Sequence, residues 1–330
     1  MIAHHYSDYK TGIFDARRLI TEHHPLKTIP NDQRASRPPP PHGEDDAQHL
    51  ARSIAITLQP SNLRGSLQPR ARGEIVLSSK HVGGRSAIDG LRQSGAFKAV
   101  FPRTRDQLEC IVVNTAGGLA GGDRFQLTAH AGEGTRLSLT TQAAERAYRA
   151  LPGETAHVRT RLSVAKNALL HWLPQELILF DGCAIDRRLS IDLDAEARLL
   201  MVEPVIFGRA LMGEAVNQGS FRDRIEVTRD GSPLYLDGIW LSGDIAAQLS
   251  RPAVAAGAAA MASLLYVAPD APARLAQVRA YLPATGGAGL LNETTLTVRL
   301  VCPDGFELRK HLLPILDALS DASLPISWRL

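Results

Sequence analysis

The chain has 330 residues, a formal net charge of +3, 44% hydrophobic and 22% charged residues, a composition that supports a buried core. No concentrated basic stripe accompanies the mild charge, which argues against nucleic-acid binding. Three widely spaced cysteines, Cys110, Cys183 and Cys302, with no CxxC pair argue against a disulfide framework and a structural zinc site.

Residues 1–68 carry the run RPPPPHGEDD and six of the eleven histidines, with no sustained apolar periodicity. Such a stretch buries too little apolar surface to offset its ordering entropy. It is expected to be a disordered extension with one short helix near residues 13–20. The pairs His4–His5 and His23–His24 imply no rigid ligand geometry, and a flexible tail that carries histidines accounts for them as well as loose metal binding does. The polar start MIAHHYSDYK lacks a signal-peptide pattern. The longest apolar stretch, residues 253–267, is broken by Gly257 and Ser263 and falls short of the roughly 18–20 residues of a membrane span. A cytoplasmic location is the expectation.

Residues 69–243 read as a β-rich body. In FQLTAH, Phe125, Leu127 and Ala129 share one face; in RLSIDL, Leu189, Ile191 and Leu193 do the same. Val158, Thr160, Leu162 and Val164 repeat the period of two, as do Phe221, Ile225 and Val227, the pattern of strands packed on one side. Turn signals such as GGD, AGEG, LPGE, FDG and RDG separate these runs, which predicts an all-β sandwich, barrel or solenoid. No convincing internal repeat is visible. Residues 244–330 read as an α+β portion packed on the body. Asp244 is an expected N-cap of an Ala-rich helix, followed by a strand at Ser263–Val267 and a helix at Ala271–Tyr281 with Asp270 as its cap. A strand near Thr294–Cys302 and a last helix near Leu308–Leu319 complete the prediction.

Several chemistries are absent. NTAGGLAGGD (Asn114–Asp123) has paired glycines and ends on an anion, so it fits neither a P-loop nor a dinucleotide fingerprint and reads instead as tight turns. There is no GxSxG elbow, HExxH helix or kinase signature. Cys183 with His171 is a conceivable nucleophile–base pair, but a lone cysteine is more simply a small buried residue.

What stands out is a set of acids inside apolar runs: Glu176 and Asp181 around LILF, Glu203 in LLMVEPVIFGR, Glu145 after TTQAA, and Glu214 after LMG. Burying a carboxylate costs several kcal/mol unless it is paired or meets a cation. One account is ion pairing with Arg146, Arg149, Arg187, Arg209, Arg222 or Arg224. The other is a cluster of oxygen ligands or a polar passage through the body.

The blocks NTAGGLAGGD, TTQAAERAYR, HWLPQELILFDGC and RLLMVEPVIFGRALMGE resemble, in order, the signature blocks of the UreD (UreH) family of urease accessory proteins. DRIEVTRDGSPLYLDGIWLSGD, SLLYVAPD and KHLLPILDALSDASLPISWR continue the likeness over residues 70–330. The resemblance implies an irregular β-helix-like stack with helices in a C-terminal portion. It also implies a non-enzymatic role in nickel insertion, in complex with apo-urease, UreF and, through UreF, the GTPase UreG. The nickel carrier UreE is implied indirectly, and no cofactor is tightly bound.

On that basis Glu176, Asp181 and Glu203, backed by Asp123 and Glu145, are the candidate residues of a transient Ni²⁺ route, with Arg209 and Arg146 orienting them. Carboxylates suit transit because they hold nickel more weakly than imidazole or thiolate. A scaffold that opens urease, a β-rich interaction module without a metal role, and a carboxylate-based glycan-active solenoid enzyme are the alternatives. Only 5% aromatic residues weighs against the last.

Overall fold

The computed structural model describes residues 69–329; the expected extension 1–68, its short helix and its histidine pairs lie outside them. In chain order the strands are β1 (Arg72–Val82), β2 (Arg85–Gly95), β3 (Phe97–Val100), β4 (Leu108–Asn114), β5 (Arg124–Ala131), β6 (Arg136–Thr141), β7 (Glu145–Ala147), β8 (Ala156–Val164), β9 (Leu169–Leu173), β10 (Leu177–Leu179), β11 (Ala184–Leu193), β12 (Arg198–Phe207), β13 (Gly219–Arg229) and β14 (Ser232–Gly243). Then follow α1 (Ile245–Leu249), β15 (Ala260–Val267), α2 (Ala271–Ala280), β16 (Gly287–Asn292), β17 (Thr295–Cys302) and α3 (Gly305–Leu319).

From β4 to β13 the chain alternates between two sheets. β4, β6, β9 and β12 are parallel neighbours in one, and β5, β8, β11 and β13 in the other. Each turn of the coil therefore lays one strand on each sheet. The short strands β7 and β10 and the end of β12 form a third, narrow ladder between them. This is the mainly β body that the alternating runs predict, in the stacked, solenoid-like form that the family resemblance implies. Leu108, Leu137, Leu170 and Leu199 fall in register on successive turns, a spacing of about 30 residues that is ordinary for solenoids. The coil is thus a structural repeat that the sequence does not show. Each turn asks only for apolar residues at alternate inward positions, and the connections are free to differ.

Two cores result. The inner faces of the sheets enclose the first, with Leu127, Leu162, Leu170, Ile191, Leu199 and Ile225 buried in it. The alternate residues of the sheet that holds β12, among them Leu200 and Val202, face the opposite way. They pack with Leu264 and Val298 under Leu308, Leu312, Ile315 and Leu316 of α3. Antiparallel pairing of β12 with β15, and of β15 with β17, carries the sheet of β4, β6, β9 and β12 on past Gly243. The portion after Gly243 therefore shares the body's hydrogen-bond ladder.

Three details differ from the sequence expectation. Asp244 caps α1 as expected, its Oδ1 accepting from the Ala247 N–H at 2.8 Å, but the helix ends at Leu249 and not within the Ala-rich stretch. Pro252 lacks an N–H, and Gly257 at φ +86 belongs to a turn. Asp270 caps nothing, because its carboxylate is taken by the Tyr266 hydroxyl at 2.8 Å and Arg274 Nε at 2.7 Å. The glycine-rich β16 was not expected; it is an edge strand whose partner β17 supplies the order.

The leucine column makes the stack testable. Leu170→Ala leaves a cavity between two turns and is expected to lower the unfolding free energy by about 3 kcal/mol, read as a shift of the urea midpoint with an unchanged slope.

Candidate functional site

The first core carries buried charge at one level of the stack. On β5, β8, β11 and β13, the residues in register at that level are Phe125, Val158, Arg187 and Asp223. The row thus turns from apolar to charged on the last two turns. Opposite it, β12 directs Leu199, Met201, Glu203, Val205 and Phe207 inward. Arg187 joins the two sheets. Its Nε donates to Asp223 Oδ1 at 2.9 Å and its Nη2 to Asp223 Oδ2 at 2.6 Å, while Nη1 lies 2.5 Å from Glu203 Oε2. The other Glu203 oxygen accepts from the Trp172 indole N–H at 2.6 Å.

Glu203 and Asp223 are only 3% and 5% exposed. Burial disfavours the Arg187 charge, but Asp223 and then Glu203 outweigh it and keep the guanidinium protonated. Burial also pushes the Glu203 carboxyl above the ordinary range, against the pull of Arg187. One cation facing two carboxyl groups leaves the cluster with a standing affinity for one more positive charge.

Arg187 and Glu203 of this cluster line a cavity of about 260 Å³, room for a string of waters. Phe97, Val112, Phe125, Leu127 and Val158 form apolar walls, and Asn114, Thr141, Thr160 and Trp172 add polar edges. Exposed Gly117, Gln142, Ala143 and Arg146 surround the outer end. Glu145 sits among them at the start of β7, its Oε2 accepting from Asn114 Nδ2 at 3.2 Å. Burial raises its pKa, and the Asn114 hydrogen bond opposes that only in part. The cavity therefore holds two carboxyl groups, one near the surface and one deep, that both favour an incoming cation.

The other acids singled out from the sequence lie elsewhere. Glu176 faces away from the cavity and pairs with Arg309 of α3 at 3.0 Å. Asp181 binds Arg149 at 2.5 Å and accepts from the Gln218 N–H at 2.8 Å, fixing a turn. That amide first, and Arg149 with it, hold its carboxyl below the usual range. Asp123 accepts from the N–H groups of Ala71 and Ala120, each at 2.8 Å, and so ties the glycine-rich turn to the start of β1. In that turn Gly118 has φ +149, and a Cβ there would meet the Tyr148 ring at 2.3 Å.

Arg146 lines the cavity mouth, whereas Arg209 pairs with Glu214 at 2.6 Å and covers the Phe180 ring. It orients none of the five candidate acids. Arg187 is the central cation, and Asp223 was missed; its signal was the interruption of the apolar period between Phe221 and Ile225. The Cys183–His171 pairing has no support. Burial pushes the Cys183 thiol to about 12, and His171 is buried with its pKa lowered by that burial to about 4. Among the described residues no three His, Cys, Asp or Glu side chains form a metal cage.

The family model for the UreD urease accessory protein matches residues 71–329. A urease accessory protein UreD of Roseobacter denitrificans is 52% identical over 263 residues, 80% of this chain and 96% of that one. Its counterpart in Ruegeria pomeroyi is 52% identical over 253 residues, 76% and 98% of the two chains. One from Rhizobium leguminosarum is 44% identical over 263 residues, 79% and 96%. No helix among the described residues is long and apolar enough to cross a membrane.

Two outcomes test the electrostatics. Arg187→Met strands two buried carboxyls and is expected to cost roughly 3–5 kcal/mol; adding Asp223→Asn to it should return part of the loss in urea unfolding. For Glu145, the folded chain binds its proton more tightly than the unfolded chain does. Stability due to this group is thus intact below the unfolded pKa and falls as pH rises through the folded one. Glu145→Gln should therefore raise the melting temperature at neutral pH, and the gain should vanish near pH 4.

Proposed function

This chain belongs to the UreD family of urease accessory proteins, and on that premise we propose that it matures apo-urease by giving Ni²⁺ a path through the cavity between its two sheets. The observation that carries the reading is the pair of carboxyl groups in one cavity, Glu145 at the mouth and Glu203 inside, both driven by burial towards acceptance of positive charge. The nickel ion is cargo here. Glu145 draws a hydrated cation into the apolar-walled space. Glu203, already bonded to Trp172 and Arg187, has little lone-pair capacity left and binds weakly. Carboxylate and water release nickel more readily than imidazole or thiolate, and a path of weak sites passes an ion where a tight cage would stop it. Arg187 limits the charge deficit, so that the ion does not stay.

In this account the chain itself performs no catalysis. It acts in a cytoplasmic assembly with UreF and, through UreF, the GTPase UreG, which is loaded from the carrier UreE, and it hands the ion to apo-urease. Neither nucleic acid nor membrane enters the path. Glu176, Asp181 and Asp123 hold turns and the α3 contact and bear on delivery only through the fold. That division separates a conduit from a pure scaffold.

The test expresses the urease subunits and the other accessory proteins in nickel-supplied cells, with this chain absent, wild type or altered. Glu145→Gln with Glu203→Gln is expected to cut nickel per urease about ten-fold or more while the complexes still assemble. Asp181→Asn in a chain that still folds should load urease normally. Full loading by the double variant would leave the scaffold reading in its place; full loading without the chain would sink both.

A further inference from the structure

The outer face of the sheet β14–β13–β11–β8–β5–β1–β2 gathers charges that are scattered in the sequence. Three adjacent rows cross β5, β8, β11 and β13 in register: Arg124, His157, Asp186, Arg222; Gln126, Arg159, Arg188, Arg224; and Thr128, Arg161, Ser190, Glu226. Six arginines thus face two carboxylates, an excess larger than the +3 of the whole chain. Asp186 is shared by Arg159 at 3.1 Å and Arg188 at 3.7 Å, and Glu226 is taken by Arg224. The other three arginines meet no carboxylate among the described residues. At the edge of the same face, β14 continues the outer rows with Trp240 and Leu236, which are 77% and 67% exposed. The Arg222 guanidinium lies over the Trp240 ring, 5.9 Å from its centre.

A field of guanidinium groups bordered by an exposed tryptophan and leucine has the composition of a protein-interface centre. Seven strands at ~4.8 Å spacing make the face about 30 Å wide, the scale of a standard interface of ~800 Å² per partner. We propose that this face docks a partner protein through a carboxylate-rich surface. Charge complementarity selects that partner over the alternatives. A nucleic-acid backbone would meet the carboxylates of Asp186 and Glu226 within the patch. The segment before the described residues is no counter-ion either, because residues 1–68 hold eight Lys and Arg against seven Asp and Glu. The choice of probe rests on the urease-maturation reading; the surface does not.

The probes are purified apo-urease and the purified UreF–UreG assembly, each titrated with the full chain at low and high salt. The proposal expects Arg161→Glu with Arg188→Glu and Arg224→Glu to weaken binding of one of these proteins about ten-fold or more, and added salt to weaken the wild type. Trp240→Ala should weaken the same partner without changing the salt response. Should the triple charge reversal fail to fold, the corresponding three Arg→Gln changes serve, with a smaller loss. Unchanged affinity of a folded triple variant for both proteins overturns the docking face and leaves the maturation reading standing. Charge-sensitive binding only to duplex DNA or to anionic vesicles also overturns it. Wild type that binds neither protein overturns both.

Discussion

A buried guanidinium held between two carboxyl groups sets the character of this molecule. Arg187 reaches from one sheet to Glu203 on the other and to Asp223 on the neighbouring turn. A solenoid core of this size has no need of charge for stability, and apolar replacements of such clusters are often neutral or better. The triad is costly in isolation, yet it places charge at one level of a largely apolar stack. The space beside it is wide enough for water. Everything proposed about ion passage depends on that level.

The stack explains how the level is built. Each turn contributes one strand per sheet, so inward positions line up along the coil axis, and a change from Phe125 and Val158 to Arg187 and Asp223 sets a boundary between apolar and charged residues beside one cavity. The narrow third ladder puts Glu145 beside that boundary, at the surface. Asp123 and Gly118 fix the shape of the adjoining turn. Acids inside the cavity and acids that fasten its rim thus do different work, although both interrupt apolar runs in the chain.

That difference explains what could be read in advance. Period-two runs such as Phe125–Ala129 and Leu189–Leu193 showed the strands and their inward faces. The turn signals showed that the strands are many and short. Pairing partners were not readable, because parallel neighbours about 30 residues apart share only apolar character. Glu145 and Glu203 could be picked out as acids in apolar surroundings, but so could Glu176 and Asp181, and only the fold separates them: Glu176 differs from Leu177 by one position and therefore faces the opposite side. Arg187 was one of six arginines that could have paired with an acid. The outer arginine field was unreadable for the same reason as the repeat. Its members are a coil apart, so a chain with no basic stripe folds into one.

The most direct measurement of the central claim is anomalous diffraction at the nickel edge from crystals of the chain in complex with its partners, soaked in Ni²⁺. The account predicts a peak inside the cavity between Glu145 and Glu203, reduced or lost in the Glu145→Gln, Glu203→Gln variant. Peaks confined to the outside of the body, with an unchanged pattern in that variant, would contradict it.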